Sequence, residues 1–219
     1  MLTVDQAIGL LVFIGFVFSI VVHECAHAVV ASWCGDDTAR VLGRITLNPV
    51  PHIDPFMSVI IPIMMLVASG GTNVFGGAKP VPVIPYRLRY PRRDMMWVAL
   101  AGPISNVLLA VLFTLVTNLI FLVKMFDPPL AEALTKCLVR VVWVNLVLAC
   151  FNMIPIPPLD GSRVLAYFLP RDLADRMSQL ERLGMLVVAA VAMSGATAPI
   201  YTPVFDVTAW LFRHLWIVR

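Results

Sequence analysis

The sequence predicts an all-α polytopic membrane protein, a single membrane-embedded domain built as a bundle of about four to six transmembrane helices. Three observations carry this. Of the 219 residues, 60% are hydrophobic and only 13% charged, whereas a soluble domain carries roughly 25% charge. Mean hydropathy is +0.89. Several uncharged runs approach the ~20 residues that a helix needs to cross the hydrocarbon, the first being AIGLLVFIGFVFSIVV at residues 7–22. The net charge of +3 is small, so the positive residues bear on orientation in the bilayer and not on nucleic acid.

Taken in order, the first helix covers about residues 4–33 and stops at Gly35-Asp36-Asp37. Asp5 is the only charge before its apolar run, and no small-residue cleavage site follows, which reads as a mature helix and not a leader. Residues 38–54, TARVLGRITLNPVPHID, alternate loosely and carry β-branched side chains, predicting a short β-hairpin or sheet at the membrane edge. The next apolar run, FMSVIIPIMMLVAS at about 56–69, is short for a span and contains Pro62, predicting a re-entrant or surface segment. Residues 70–94 form a loop rich in Gly, Pro and Arg with an extended piece. A second helix follows over about 95–123 and a third over about 131–153, halted by the prolines of IPIPP. The domain core thus spans about 4–170, and the C-terminal helices fall within about 183–219. The apolar segment 202–219 either spans or lies at the interface. The cysteines Cys25, Cys34, Cys137 and Cys150 show no CxxC spacing and read as small buried side chains.

Orientation follows from Lys and Arg. Lys79, Arg87, Arg89, Arg92 and Arg93 lie between the first and second helices, and Arg163, Arg171, Arg176 and Arg182 follow the third. Only Lys124 and Lys136 lie in the connection between the second and third. The first two groups are expected in the cytoplasm, in a plasma or cell membrane.

Within the first helix stands VVHECAHA, residues 21–28. Hydrocarbon penalises His23, Glu24 and His27 unless something satisfies them, and ionisable residues in a membrane segment point to function. On a helix, positions i and i+4 share a face, so His23 and His27 can grip one metal ion with Glu24 beside it as a proton acceptor. Catalytic zinc usually takes three protein ligands and keeps one position open. The candidates for the third are His52, Asp54, Asp160, Asp206 and His214. Asp160 follows a proline-broken helix end and precedes Gly161, an arrangement that lets its carboxylate project back toward the bundle.

HECAH followed by NMIPIPPLDG resembles the site-2 protease family of intramembrane zinc metalloproteases, in its compact subfamily without PDZ or other soluble domains. Asn152, Pro155, Leu159, Asp160 and Gly161 occupy each fixed position of that family's second motif. AGPISN at 101–106, LNPVPHIDP and AKPVPV match it too. The resemblance implies one Zn2+ held by His23, His27 and Asp160, with Glu24 as general base and Asn152 near the scissile carbonyl. It implies that Gly102 and Asn106 line the helix facing the site. His52 either joins the site or anchors the turn HIDP. Asn145, seven residues before Asn152, is either an outer partner of the site or a helix-packing hydrogen bond. The implied substrate is a transmembrane protein cut within or near its membrane segment. A divalent-metal transporter using the same ligands and an inactive scaffold are the alternatives. The charge-free first half of the first helix weighs against the former, the intact Glu24 against the latter.

One shared ion carries a topological consequence. It demands that the first and third helices run in the same direction and the second in the other, so that residues 56–69 do not also cross, and it sets the site toward the cytoplasmic side. In KPVPVIP, Pro80 and Pro82 block one edge of an extended strand while Val81 and Val83 leave the other free. A substrate strand could add there or to the 39–47 hairpin; alternatively the prolines merely stiffen a connector.

Overall fold

The computed structural model describes residues 3–60, 63–64, 77–123 and 126–180, with isolated positions between 184 and 210. Three described helices are long and apolar enough to cross a membrane: α1 (Val4–Trp33), α3 (Pro91–Val123) and α4 (Pro128–Asn152). Between them lies a single helical turn, α2 (Thr38–Val41), and after them come two short helices, α5 (Asp160–Phe168) and α6 (Arg171–Gln179).

α1 begins at a capping box in which Thr3 and Gln6 satisfy each other's backbone N–H groups. It ends where Gly35 turns to φ 110°, a conformation that side chains disfavour. That turn brings the carbonyl of Cys34 to the N–H of Arg89, 3.0 Å away, joining the end of α1 to the approach to α3.

The bundle is held as lipid-embedded helices are. Lipid tails are as apolar as leucine, so small and polar residues form the interfaces. Ser19, Asn106, Thr114, Thr117 and Asn145 are fully buried, while Leu10, Phe13, Leu108, Leu112 and Leu119 stay exposed. Gly15 lets α1 approach α4 so closely that a Cβ there would meet Val141 Cγ2 at 2.6 Å. Ile8 packs against Cys137 and Val141, and Ser19 bonds Asn145, so α1 and α4 run in the same sense. His27 contacts Val98 and His23 contacts Asn106, so α3 runs against both. This is the direction pattern that a shared ion demands.

The expected hairpin over 38–54 is not formed, and no strand occurs among the described residues. Local side-chain bonds capture the backbone before a ladder can. The Asp36 carboxylate accepts from the N–H of Thr38 at 3.0 Å, starting α2 instead of a strand. Thr46 Oγ1 accepts from the Asn48 N–H at 3.1 Å, and Asn48 Oδ1 from the Val50 N–H at 3.1 Å, opening a 3-10 turn over Val50–His52. The β-branched residues here build turns. Burial would raise the Asp36 carboxyl, but the N–H of Ile84, both donors of Thr38 and the charge of Arg87 hold it below the ordinary carboxylate range.

A π-helical turn, Pro55–Ile60, opens the expected re-entrant segment. Half of 56–69, and most of 183–219 where further helices are expected, lie outside the described residues. The four cysteines are free thiols; Cys137 is buried, but Cys150 faces outward.

Candidate metal centre

α1 carries His23 and His27 on one face, and the turn after α4 delivers Asp160 as the first residue of α5. Gly161 makes that turn possible, since a Cβ there would lie 2.2 Å from the carbonyl oxygen of Met153. The three side chains converge. His23 Nε2 and His27 Nε2 are 3.0 Å apart, and Asp160 Oδ2 lies 3.2 Å from the first and 3.3 Å from the second. All three residues are buried.

The outer hydrogen bonds settle which ring nitrogens carry protons. His27 Nδ1 lies 2.6 Å from the Val98 carbonyl, which can only accept, so Nδ1 is the donor. For His23 the assignment runs through a chain. Asn145 Nδ2 donates to the Val141 carbonyl at 2.9 Å and to Ser19 Oγ at 2.9 Å, which fixes its amide. Asn145 Oδ1 therefore accepts from Asn106 Nδ2 at 3.0 Å, leaving Asn106 Oδ1 to accept from His23 Nδ1 at 2.6 Å. With both Nδ1 atoms donating outward, the neutral form of each imidazole would aim an Nε2 lone pair at the same point as the Asp160 oxygen. Asp160 Oδ2 is buried with no hydrogen-bond donor. Three buried acceptor atoms face one another, and such a group calls for a cation at its centre. Ligands about 2.0–2.1 Å from a tetrahedral zinc lie about 3.3 Å from each other, which matches the observed edges. The residues fit zinc.

Ser19 is the residue that sequence reasoning did not place. Asn145 bridges α1, α3 and α4 as a helix-packing hydrogen bond and also holds Asn106, whose Oδ1 accepts from His23. Residues that orient metal-binding histidines typically change affinity 10–100-fold. Asn145→Leu is therefore expected to weaken zinc binding about 10–100-fold, read by competition with a chelator, while the protein remains extractable and helical.

The other expected residues are distributed as follows. Gly102 lies against the trio: a Cβ there would approach His23 Cε1 and His27 Nε2 to 2.5 Å. Glu24 is partly buried, and its Oε2 accepts the Val81 N–H at 3.0 Å. The Val81 edge is thus engaged by Glu24, and Val83 packs against the cluster of Ala28, Ala39 and Val81. The strip around them is clamped by unlike partners: Lys79 N–H to the His52 carbonyl at 2.9 Å, Arg44 Nη2 to the Lys79 carbonyl at 2.5 Å, and Ile84 N–H to Asp36 at 2.6 Å. His52 is buried with Nε2 3.0 Å from the Thr46 carbonyl, holding its own turn apart from the trio. Asp54 caps the following turn by accepting from the Phe56 N–H at 2.9 Å. Asp206 is exposed, and His214 lies outside the described residues. Asn152, at the end of α4, donates to the Leu148 carbonyl of its own helix at 3.0 Å.

Membrane-crossing helices around a buried His-His-Asp cluster with a carboxylate alongside define a zinc metalloprotease of the membrane interior. The comparisons with known proteins agree. The family model described as peptidase family M50 matches residues 11–136 and 116–195, and the chain belongs to that family, the site-2 proteases. YwhC of Bacillus subtilis, named as an inferred zinc metalloprotease, is 38% identical over 178 residues, covering 80% of this chain and 76% of the relative. Rip2 of Mycolicibacterium smegmatis, similarly named, is 28% identical over 203 residues, covering 93% and 73%. MJ0611 of Methanocaldococcus jannaschii, also so named, is 41% identical over 70 residues, covering 32% of each chain. No solved structure gives a significant match. The protein is an intramembrane zinc metalloprotease.

Proposed function

We propose that His23, His27 and Asp160 hold the zinc and that Glu24 is the general base, acting on transmembrane protein substrates from a centre near the cytoplasmic face. The convergence of three buried acceptor atoms at 3.0–3.3 Å carries this reading. Zinc so placed supplies Lewis acidity, acidifying water and polarising a peptide carbonyl. Everything else falls to the chain. Glu24 receives the proton of the attacking water and returns it to the leaving amine. Its Oε2 is steadied by Val81 N–H, leaving the second oxygen for that exchange. Asn152 donates to the developing oxyanion once its amide leaves Leu148. Gly102 and Asn106 shape the α3 wall, and the peptide must be unwound, because a helix hides its carbonyls in its own hydrogen bonds. The cytoplasmic assignment draws on Arg40, Arg44, Lys79, Arg87, Arg89, Arg92 and Arg93, all in the segments between α1 and α3 or the first turn of α3.

The test is metal analysis of purified protein, wild type beside Asp160→Ala. One equivalent of zinc in the former and a loss of most of it in the latter are expected. Equal zinc in both would remove Asp160 from the centre.

A further inference from the structure

A groove of about 1140 Å³ runs along the strip whose Val81 N–H binds Glu24. One wall is the extended strip at residues 80–83; the others are the first turn of α3 and the outward faces of α5 and α6. The wall residue Val81 links the groove to the proposed general base through this one hydrogen bond, 3.0 Å long. From Val81 to Pro85 an extended chain covers about 13 Å at about 3.3 Å per residue. The wall is therefore long enough for about four residues of an extended peptide.

The groove is basic. Arg92, Arg93, Arg163 and Arg171 line it against a single acid, Asp175. Arg93 is balanced by Asp94 at 3.0 Å and stacks on Tyr90. Arg92 is fixed by the carbonyls of Ala166, Tyr167 and Leu169, which orient its guanidinium without neutralising it. Arg171 stands exposed in the first turn of α6, where the helix dipole favours an acid, and enters no ion pair among the described residues.

We propose that this groove receives the flank of the substrate adjoining the scissile segment and selects acidic residues there. The inference rests on the reading of the trio and Glu24 as the catalytic centre. Most membrane proteins carry Lys and Arg on their cytoplasmic flanks, and such a flank meets like charge at Arg92 and Arg171. The groove thus rejects ordinary membrane segments and admits those with acidic flanks, by repulsion as much as by attraction.

The test uses the full chain in phosphatidylcholine vesicles with one reporter transmembrane segment. Four flank residues are made acidic, neutral or basic, first on one side of the cut and then on the other. Expected is a preference in kcat/KM for acidic over basic of about tenfold, on one side only and weakened by salt. Arg171→Glu should shrink or invert that ratio within the same enzyme, and Arg171→Lys should keep it. Flank charge without effect on either side, or a ratio unmoved by Arg171→Glu, overturns the proposal. So does a rate that follows added anionic lipid and not flank charge, since the groove would then hold lipid headgroups. Failure to cut even the neutral reporter is a separate result, against the catalytic reading itself.

Discussion

Glu24→Gln is expected to suppress peptide hydrolysis and keep the zinc. The substitution preserves length and shape, and the new amide oxygen can still accept the Val81 N–H that Oε2 now receives at 3.0 Å. The strip at 77–84 therefore stays where it is, and the His23–His27–Asp160 cluster, in which Glu24 takes no part, is untouched. Only the proton acceptor disappears. General acid–base groups contribute typically 10²–10⁴-fold, so cleavage of a reporter helix is expected to fall by about that factor at unchanged zinc content. Loss of zinc along with activity would instead mark Glu24 as a ligand. Retained activity would move the base elsewhere.

The contrast between what the residues announced and what they concealed has a physical basis. His23, Glu24 and His27 stood out because an ionisable group in lipid is costly and the i, i+4 spacing needs no tertiary information, whereas Asp160 was one of several candidates until the resemblance singled it out, and the fold brings it against His23 and His27. The parallel course of α1 and α4 followed from the same constraint. The hairpin expectation failed for the opposite reason: Thr46 and Asn48 look like strand or edge residues by composition, yet their side chains close local rings with the backbone. Ser19 gave no signal beyond being polar in an apolar run, and Asn145 only its spacing from Asn152, which left two roles open. Their role arises only when three helices meet, and a single bond to the Val141 carbonyl fixes the direction of the whole chain. Val81 was expected to offer a free strand edge, but its N–H is taken by Glu24, because which way it points depends on the packing of the strip over α1.

Gly102→Ala is the second change expected to abolish activity, through geometry and not chemistry. Val98 and Asn106 lie one turn to either side of Gly102 on α3, and each holds one imidazole by its Nδ1, both at 2.6 Å. The two rings are thus pinned to the same helix above and below, and between those pins they rest directly on residue 102. A Cβ would stand 2.5 Å from His23 Cε1 and His27 Nε2 and 2.6 Å from His23 Nε2. Moving α3 away lengthens both pinning bonds, and rotating the rings turns the Nε2 lone pairs from the common point they share with Asp160. Either response breaks the donor set. Zinc content is expected to fall to less than about a tenth, since outer contacts alone already govern 10–100-fold in affinity, and hydrolysis should vanish with it. Gly9→Ala is the matched control, because a Cβ at Gly9 meets nothing within 4 Å; it should leave both readouts unchanged. A Gly102→Ala protein that binds a full equivalent of zinc and still cuts would show that the rings do not sit against α3 as described.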